Sequence, residues 1–131
     1  MRATVCKLCQ YAVEGHDGTY TLAGIYNRAG VSGFPAKVSA LTLAIELEFE
    51  PAEGGRGYPI RFVLVDEDGQ VVWSDDGEIE TSSEAGPRTA TFWILRRLDH
   101  QIEIPGPGFY RFDIFIGEEP IGETRFYIEQ A

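Results

Sequence analysis

The sequence has few basic residues, few cysteines and no long apolar stretch. Lysine and arginine number 11 against 21 aspartates and glutamates, which gives a formal net charge of -10. Phosphate backbones and anionic lipid headgroups repel such a chain. We therefore expect it to bind neither nucleic acid nor membranes.

The scarcity of apolar runs and of cysteine predicts where the protein resides. No apolar run approaches the roughly 20 residues that a membrane-spanning helix needs. No apolar core of signal-peptide length follows the early Arg2. We therefore expect a cytoplasmic protein, in which the two cysteines, Cys6 and Cys9, stay reduced.

The length and composition predict one globular domain over residues 1–131. Hydrophobic residues make up 44% of the chain and aromatic residues 12%, which is typical of folded domains rather than of disordered chains. A domain of this length buries enough surface to fold without a disulfide or a metal ion.

Alternation of apolar and polar residues indicates strands throughout the chain. The clearest stretch is residues 41–50, where Leu43, Ile45 and Leu47 alternate with Glu46 and its neighbours. A period of two places these apolar side chains on one buried face and the intervening residues on a solvent-exposed face. The same alternation recurs at residues 60–66, 110–116 and 124–129, and residues 92–100 also favour a strand.

Turn residues separate the alternating stretches. Turns are expected at residues 16–18, 66–69, 75–77 and 117–120, and a small polar loop at residues 82–87. About eight short strands with turns every 8 to 12 residues or so predict an immunoglobulin-like sandwich of two antiparallel sheets. The pattern is also compatible with a closed barrel.

The entry into one strand supports the sandwich. Tyr110 follows Gly108 at the start of the alternating stretch, an arrangement typical of the penultimate strand of immunoglobulin-like modules. In those modules the tyrosine hydroxyl bonds back to the adjoining loop.

Several short segments resemble a family of small bacterial proteins catalogued only as a domain of unknown function. The segments are Leu8-Cys9-Gln10-Tyr11-Ala12, Asp17-Gly18, Leu22-Ala23-Gly24-Ile25-Tyr26, Val65-Asp66-x-Asp68-Gly69, Gly108-x-Tyr110 and Ile121-Gly122-Glu123. The resemblance implies a stand-alone β-sandwich in a bacterial cytoplasm. It supplies neither an activity nor catalytic residues.

The acidic turns are a candidate calcium site. Asp66, Asp68, Asp75 and Asp76 would provide the oxygen ligands that calcium prefers if both turns lay at one end of the sandwich. The spacing is not that of an EF-hand loop. We favour solvated turns in which each aspartate bonds its own backbone, and therefore expect no metal site.

The motifs that accompany catalysis do not support an enzyme. Cys6-x-x-Cys9 lies in a predicted strand, where residues three apart point to opposite faces, so we expect two buried thiols rather than a redox pair. The glutamates at 46, 48 and 50 lie on a predicted wet face, without the cleft that acid–base catalysis requires. We find no phosphate-binding loop, dinucleotide motif or nucleophile elbow, and expect no cofactor.

Two phenylalanines stand where a sandwich strand should be polar. In residues 109–116, Phe109 and Phe115 fall on the face opposite Tyr110, and Tyr127 on the closing strand can join them. Because neighbouring strands lie about 4.8 Å apart, these rings could form one aromatic patch.

Charged side chains border this predicted patch: Arg111, Arg125, Glu123 and Glu129. Aromatic rings within a charged rim are the composition of a contact surface. We therefore predict a non-enzymatic module that binds an unknown protein partner or a second copy of itself through this face. The alternative function is a small-ligand or calcium-binding sandwich. A structural alternative is that the loop at residues 29–37 covers the patch with Phe34 and Pro35.

Overall fold

The computed structural model describes residues 1–82 and 88–131, so most of the loop predicted at residues 82–87 lies outside the described residues. The described parts contain eleven strands: β1 (Arg2–Glu14), β2 (Tyr20–Ile25), β3 (Arg28–Val31), β4 (Ala36–Lys37), β5 (Thr42–Phe49), β6 (Gly57–Asp66), β7 (Val71–Glu80), β8 (Ala90–Arg97), β9 (Glu103–Ile104), β10 (Gly108–Ile116) and β11 (Glu119–Gln130). A single turn of 3-10 helix, Pro51–Glu53, follows β5. Over the same residues, no helix has the length and apolar character that a membrane crossing requires.

The strands form two main sheets, which confirms the predicted sandwich. Sheet A has the order β2-β1-β5-β8, and sheet B the order β3-β11-β10-β6-β7. Strands β4 and β9 form a separate two-stranded pair. The strand count exceeds the prediction because three strands, β3, β4 and β9, are only two to four residues long. The expectation of purely antiparallel pairing was wrong for β3, which runs parallel to β11.

The predicted alternation places the core between the sheets. Leu43, Ile45 and Leu47 of sheet A are fully buried, as are Phe112 and Ile114 of sheet B. The core rings are also in mutual contact, since the centroids of Phe112 and Phe126 lie 6.1 Å apart in a stacked arrangement. Burial of these side chains is the dominant favourable term in folding.

The outer face of β5 is more covered than its alternation predicts. Thr42 is only 5% exposed and Ala44 is fully buried. The cover is the β1–β2 hairpin, which curls back over sheet A so that Tyr20 stacks on Trp93 with ring centroids 5.0 Å apart. The sequence prediction of a wholly wet face on β5 was therefore wrong at its N-terminal half.

Strand β7 runs through Asp75, Asp76 and Gly77, where the sequence predicted a turn. The two carboxylates are matched by cations from other strands. Asp75 pairs with Arg96 of β8, and the Asp76 Oδ1 accepts from the Arg61 Nε at 2.8 Å. Because these partners are distant in sequence, the turn-like composition misled the local prediction.

The predicted tyrosine bond at the start of β10 is present. The Tyr110 hydroxyl donates to the Gly106 carbonyl oxygen at 2.6 Å. Gly108, between them, has a φ of +142°, a conformation that other residues rarely adopt. The bond fixes the Pro105–Pro107 loop against the strand that carries Phe109.

Candidate functional site

The predicted aromatic face lies on the outer side of sheet B. Tyr110, Phe112 and Ile114 of β10 point to the core, so Phe109 and its alternates point outward. The antiparallel register pairs Phe109 directly with Tyr127 of β11. The two rings meet edge to face with centroids 4.8 Å apart. Phe109 nevertheless remains 57% exposed.

The parallel strand β3 adds a cation to this aromatic pair. Arg28 is paired with Tyr127 in the β3–β11 register, and its guanidinium carbon lies 5.7 Å from the centre of the Tyr127 ring. Arg28 also approaches Glu129, with Nε and Oε1 3.6 Å apart. A guanidinium over a tyrosine face is a favourable cation–π arrangement. Arg28 was absent from the sequence prediction because a parallel pairing of β3 leaves no local signal.

Phe109 projects between concave surfaces. One, of about 670 Å³, is lined by Asn27, Arg28, Phe109, Tyr127 and Glu129. A second, of about 520 Å³, is also lined by Phe109 and includes Glu67, Arg111 and Arg125 in its lining. We name the residues Arg28, Phe109 and Tyr127 the aromatic corner, since all three line the first concave surface and Phe109 also lines the second.

Beside the aromatic corner lies a network of charges. The Arg111 Nε and Nη2 donate to the two carboxylate oxygens of Asp113 at 2.8 and 3.0 Å, and this pairing raises the pKa of Arg111. Glu123 lies between the two arginines, 3.4 Å from Arg111 and 3.8 Å from Arg125. Arg111 is therefore held by its neighbours, whereas the Arg125 side chain is 69% exposed. Of the two predicted rim arginines, Arg125 is the more exposed, at 69% against 40% for Arg111.

Phe115 does not join the aromatic corner. It lies six residues along β10 from Phe109, which is roughly 20 Å at the rise of a strand. Its cross-strand neighbours are Arg61 and Pro120. The structure thus brings together Phe109 and Tyr127 of the predicted patch and leaves the half-buried Phe115 at the opposite end of the strand.

The four aspartates of the alternative calcium site do not converge. Asp66 and Asp68 lie at the β6–β7 turn, where the Asp66 Oδ1 accepts from the backbone N–H of Asp68 and Gln70. Asp75 and Asp76 lie further along β7, paired with arginines. Within residues 1–82 and 88–131, no group of three or more His, Cys, Asp or Glu side chains is arranged to hold a metal ion.

The two cysteines occupy different faces of β1. Cys6 is paired with the inward residue Ile45, and Cys9 with Thr42 on the other face. Both are free thiols. Burial raises the pKa of the Cys6 thiol to about 12 and also raises the pKa of Cys9. These are the properties of packed side chains, not of a reactive thiolate.

A second exposed apolar surface lies on the β1–β2 hairpin and was missed from the sequence. Tyr11 and Ile25 are each 55% exposed, and Val13 is 39% exposed. The register pairs Tyr11 with Ala23 and Cys9 with Ile25, so the three exposed side chains lie on neighbouring parts of this one hairpin. The sequence signal was present, since residues 20–25 contain no charge.

The fold and the site together define a β-sandwich with an exposed aromatic corner. The profile of DUF6941, a family of unknown function, matches residues 4–129. The chain belongs to this family, which confirms the resemblance to a domain of unknown function. No curated protein gives a significant match.

The chain is also similar to a solved structure, a glycosyl hydrolase family 2 member from Bacteroides cellulosilyticus. The sequence identity is 10% and the TM-score 0.43. The match covers 83% of this chain and 16% of that chain, so the present sequence spans about a sixth of the larger protein.

Proposed function

We propose that the chain is a non-enzymatic module that binds a protein partner through the aromatic corner on sheet B. The observation that carries the proposal is the position of Phe109, which is 57% exposed between two concave surfaces. Contiguous exposed apolar patches mark interaction sites, and aromatic interface anchors insert into pockets of a partner.

Within residues 1–82 and 88–131, the chain leaves Phe109 of the aromatic corner exposed. Strand β3 and the loop that follows lie along the edge of sheet B, and Phe34 from that loop packs against the hydrophobic core. The alternative in which Phe34 and Pro35 cover the patch therefore receives no support. Phe109 faces solvent.

Two of the three residue types of the corner, arginine and tyrosine, are among those that dominate binding energy at protein interfaces. Arginine, tyrosine and tryptophan are enriched among such anchors. Tyr127 and Arg28 also fix the surroundings of Phe109 through ring and cation–π contacts. A preordered surface loses little side-chain entropy on binding, and this favours affinity.

We also propose a cytoplasmic location and an immunoglobulin-like relationship. The free thiols of Cys6 and Cys9 support the first, because reducing compartments preserve thiols. The bond from Tyr110 to Gly106 supports the second, because immunoglobulin-like strands use a similar tyrosine.

A photocrosslinking amino acid placed at Phe109 tests the proposed binding surface. In cells that contain the natural partner, we expect one discrete adduct, which an excess of the untagged wild-type protein suppresses. An equal excess of untagged protein that carries both Arg28→Glu and Tyr127→Ser should suppress the adduct poorly, because this variant lacks the aromatic corner.

The matched control places the crosslinker at Val71. This residue is 63% exposed on the same sheet, outside the aromatic corner. An identical adduct from Val71, or no adduct from Phe109, would contradict the proposal.

A further inference from the structure

A separate concave surface lies where the chain passes from sheet A to the edge of sheet B. It has a volume of about 590 Å³, and its lining includes Gln10 and Tyr26 on one side and Arg28 and Lys37 on the other. Sites for small molecules in proteins have volumes of about 300–1,000 Å³. The surface is therefore large enough for a small organic molecule, and not only for a bare ion.

The charged residues that line this surface are both cations. They are Arg28 and Lys37, and no aspartate or glutamate is among the lining residues. The two concave surfaces at the aromatic corner, by contrast, include carboxylates, among them Glu129 and Glu67. In a chain with 21 acidic and 11 basic residues, two cations without a lining carboxylate favour an anion locally. We name this surface the basic cleft, formed by residues 28–39 with Gln10 and Tyr26.

Neither cation of the basic cleft is committed to a strong internal ion pair. The Arg28 Nε lies 3.6 Å from the Glu129 Oε1, and the two side chains are 66% and 43% exposed. An exposed pair at that distance contributes little to stability, so Arg28 is free to turn towards a ligand. Lys37 is exposed and forms no ion pair among the described residues, including with Glu103, its partner in the β4–β9 register.

Hydrogen-bond donors accompany the two cations. In the described part of the chain, β3 is an edge strand that pairs only with β11, and the Val31 carbonyl oxygen accepts from the Ala131 N–H at 2.7 Å. The backbone N–H groups of the alternate residues Arg28 and Gly30 therefore point to the open edge. Side-chain donors in the lining are Gln10, Ser32 and Ser39. Cations beside oriented N–H groups suit the oxygen atoms of a carboxylate or phosphate.

The walls of the basic cleft are fixed by the fold. Ala29 and Val38 belong to the hydrophobic core, and Phe34 packs against it. The Tyr26 hydroxyl donates to the Ala40 carbonyl oxygen at 2.8 Å, which ties the end of sheet A to the end of residues 28–39. A preformed site loses little conformational entropy when a ligand binds.

We propose that the basic cleft binds a small organic anion through a carboxylate or phosphate group, with Arg28 and Lys37 as its cationic contacts. This site goes beyond the proposed partner surface, because Lys37 lies outside the aromatic corner even though Arg28 belongs to both. Repulsion from distant carboxylates is screened over about 8 Å at physiological ionic strength, so the net negative charge does not prevent binding. The affinity should fall as salt rises.

Amide chemical shifts of the isotope-labelled full chain test the basic cleft. The probes are glycerophosphate and glycerate, which distinguish phosphate from carboxylate, with glycerol as the uncharged control, all at constant ionic strength. At least one of the two anions should cause saturable shifts centred on residues 28–39, whereas glycerol should cause none. A response to glycerophosphate alone would identify the recognised group as phosphate, and a response to glycerate alone as carboxylate.

Variants of the two lysines of the chain measure the contribution of charge. Lys37→Glu should raise the dissociation constant of the bound anion about tenfold, because a repulsion replaces an attraction. Lys7→Glu is the matched control, since Lys7 is exposed on β1 outside the basic cleft and the change in net charge is the same. Gly33→Glu should also weaken binding, and the fold should tolerate it because a Cβ atom at Gly33 meets open space.

Phe109→Ser separates this proposal from the proposed function. It removes the exposed ring of the aromatic corner but no residue that lines the basic cleft, so anion binding should persist. An excess of the same variant should suppress the partner adduct poorly. Saturable shifts from neither anion, shifts centred outside residues 28–39, or equal weakening by Lys37→Glu and Lys7→Glu would overturn the proposal.

Discussion

Single residues of β1 show how burial decides the chemistry available to this chain. Cys6 and Cys9 have the spacing of a redox motif, but a strand directs them to opposite faces. Cys9 is fully buried and its thiol donates to the Thr42 carbonyl oxygen at 3.5 Å. The same spacing at a helix start would lower a thiol pKa, so the backbone conformation sets the function of the motif.

We expect both thiols to react slowly in the native protein. With a pKa of about 12, only about one Cys6 in 10,000 is a thiolate at pH 8, and the thiolate is the reactive form. Labelling with a chromogenic disulfide reagent should be slow in buffer and rapid in denaturant. A Gln101→Cys variant provides an exposed thiol for comparison. Native labelling of Cys6 and Cys9 at the rate of that exposed thiol would show that β1 is not packed as described.

Neighbouring residues of β5 should respond very differently to truncation. Ile45 is fully buried between the sheets, so Ile45→Ala should reduce the free energy of unfolding by about 2–5 kcal/mol. Glu46 points to the opposite face, where its carboxylate accepts from the Thr4 hydroxyl at 2.6 Å in an exposed setting. Glu46→Ala should therefore cost less than about 1 kcal/mol. Urea unfolding of both variants measures the difference, and a larger loss for Glu46→Ala would mean that the strand faces are reversed.

At the scale of elements, the Asp99 carboxylate links the loop after β8 to β5 alongside backbone hydrogen bonds from Leu98 and His100. The Asp99 Oδ1 accepts from the Leu41 backbone N–H at 2.7 Å, and its Oδ2 accepts from the Arg97 Nε at 2.9 Å. The first of these bonds is the larger cause of the lowered pKa of Asp99. The carboxylate therefore links the end of β8 to the start of β5.

This arrangement predicts how stability changes with pH. Because the folded chain lowers the pKa of Asp99 below its unfolded value of about 3.9, the stabilisation is complete above about pH 5. It is lost as the pH falls through the native pKa, since protonation then favours the unfolded chain. Urea unfolding at pH 7, 4 and 3 should show a shallower acid loss for Asp99→Asn than for the wild type. Glu53 and Asp17 also have lowered pKa values, so the free energy of unfolding of the Asp99→Asn variant should still fall somewhat in acid. If the wild type and Asp99→Asn lost the same amount of stability between pH 7 and pH 3, the role of Asp99 would be contradicted.

At the scale of the whole molecule, local patterns predicted the strands but not their long-range partners. Period-two alternation identified β5, β6, β10 and β11, because each has one face in the core. Alternation cannot reveal that β3 lies parallel to β11, nor that Arg28 consequently reaches Tyr127. The continuation of β7 through Asp75 and Asp76 depends likewise on arginines from other strands.

The candidate site could likewise be predicted only where it depends on local sequence patterns. The outward position of Phe109 and its pairing with Tyr127 follow from alternation and from a hairpin register. Phe115 shares that outward face, but distance along the strand separates it from the aromatic corner. The β1–β2 hairpin also reaches across sheet A, where Tyr20 stacks on Trp93, and it leaves Tyr11 and Ile25 exposed. A contact across that separation in sequence has no local signature.

The separation of the two sheets depends on a glycine. Gly122 of β11 faces β1 so closely that a Cβ atom placed there would lie 2.7 Å from the Ala3 Cβ. No pair of carbon atoms packs at that distance, so Gly122→Ala must push β1 away from sheet B. Overpacking of this kind costs about 1–3 kcal/mol.

We therefore expect Gly122→Ala to lower the free energy of unfolding by that amount, and Ala3→Gly to restore part of it in the double variant. The restoration is the coupling term of a double-mutant cycle, and it is expected because the two residues are in direct contact. Gly77→Ala is the matched control on β7, since its Cβ would meet the Ile60 Cγ2 at an ordinary 3.5 Å. Denaturant unfolding of the four variants measures the cycle. If Gly122→Ala is as harmless as Gly77→Ala, or if Ala3→Gly adds to its damage, then the close approach of β1 and β11 does not set the spacing of the sandwich.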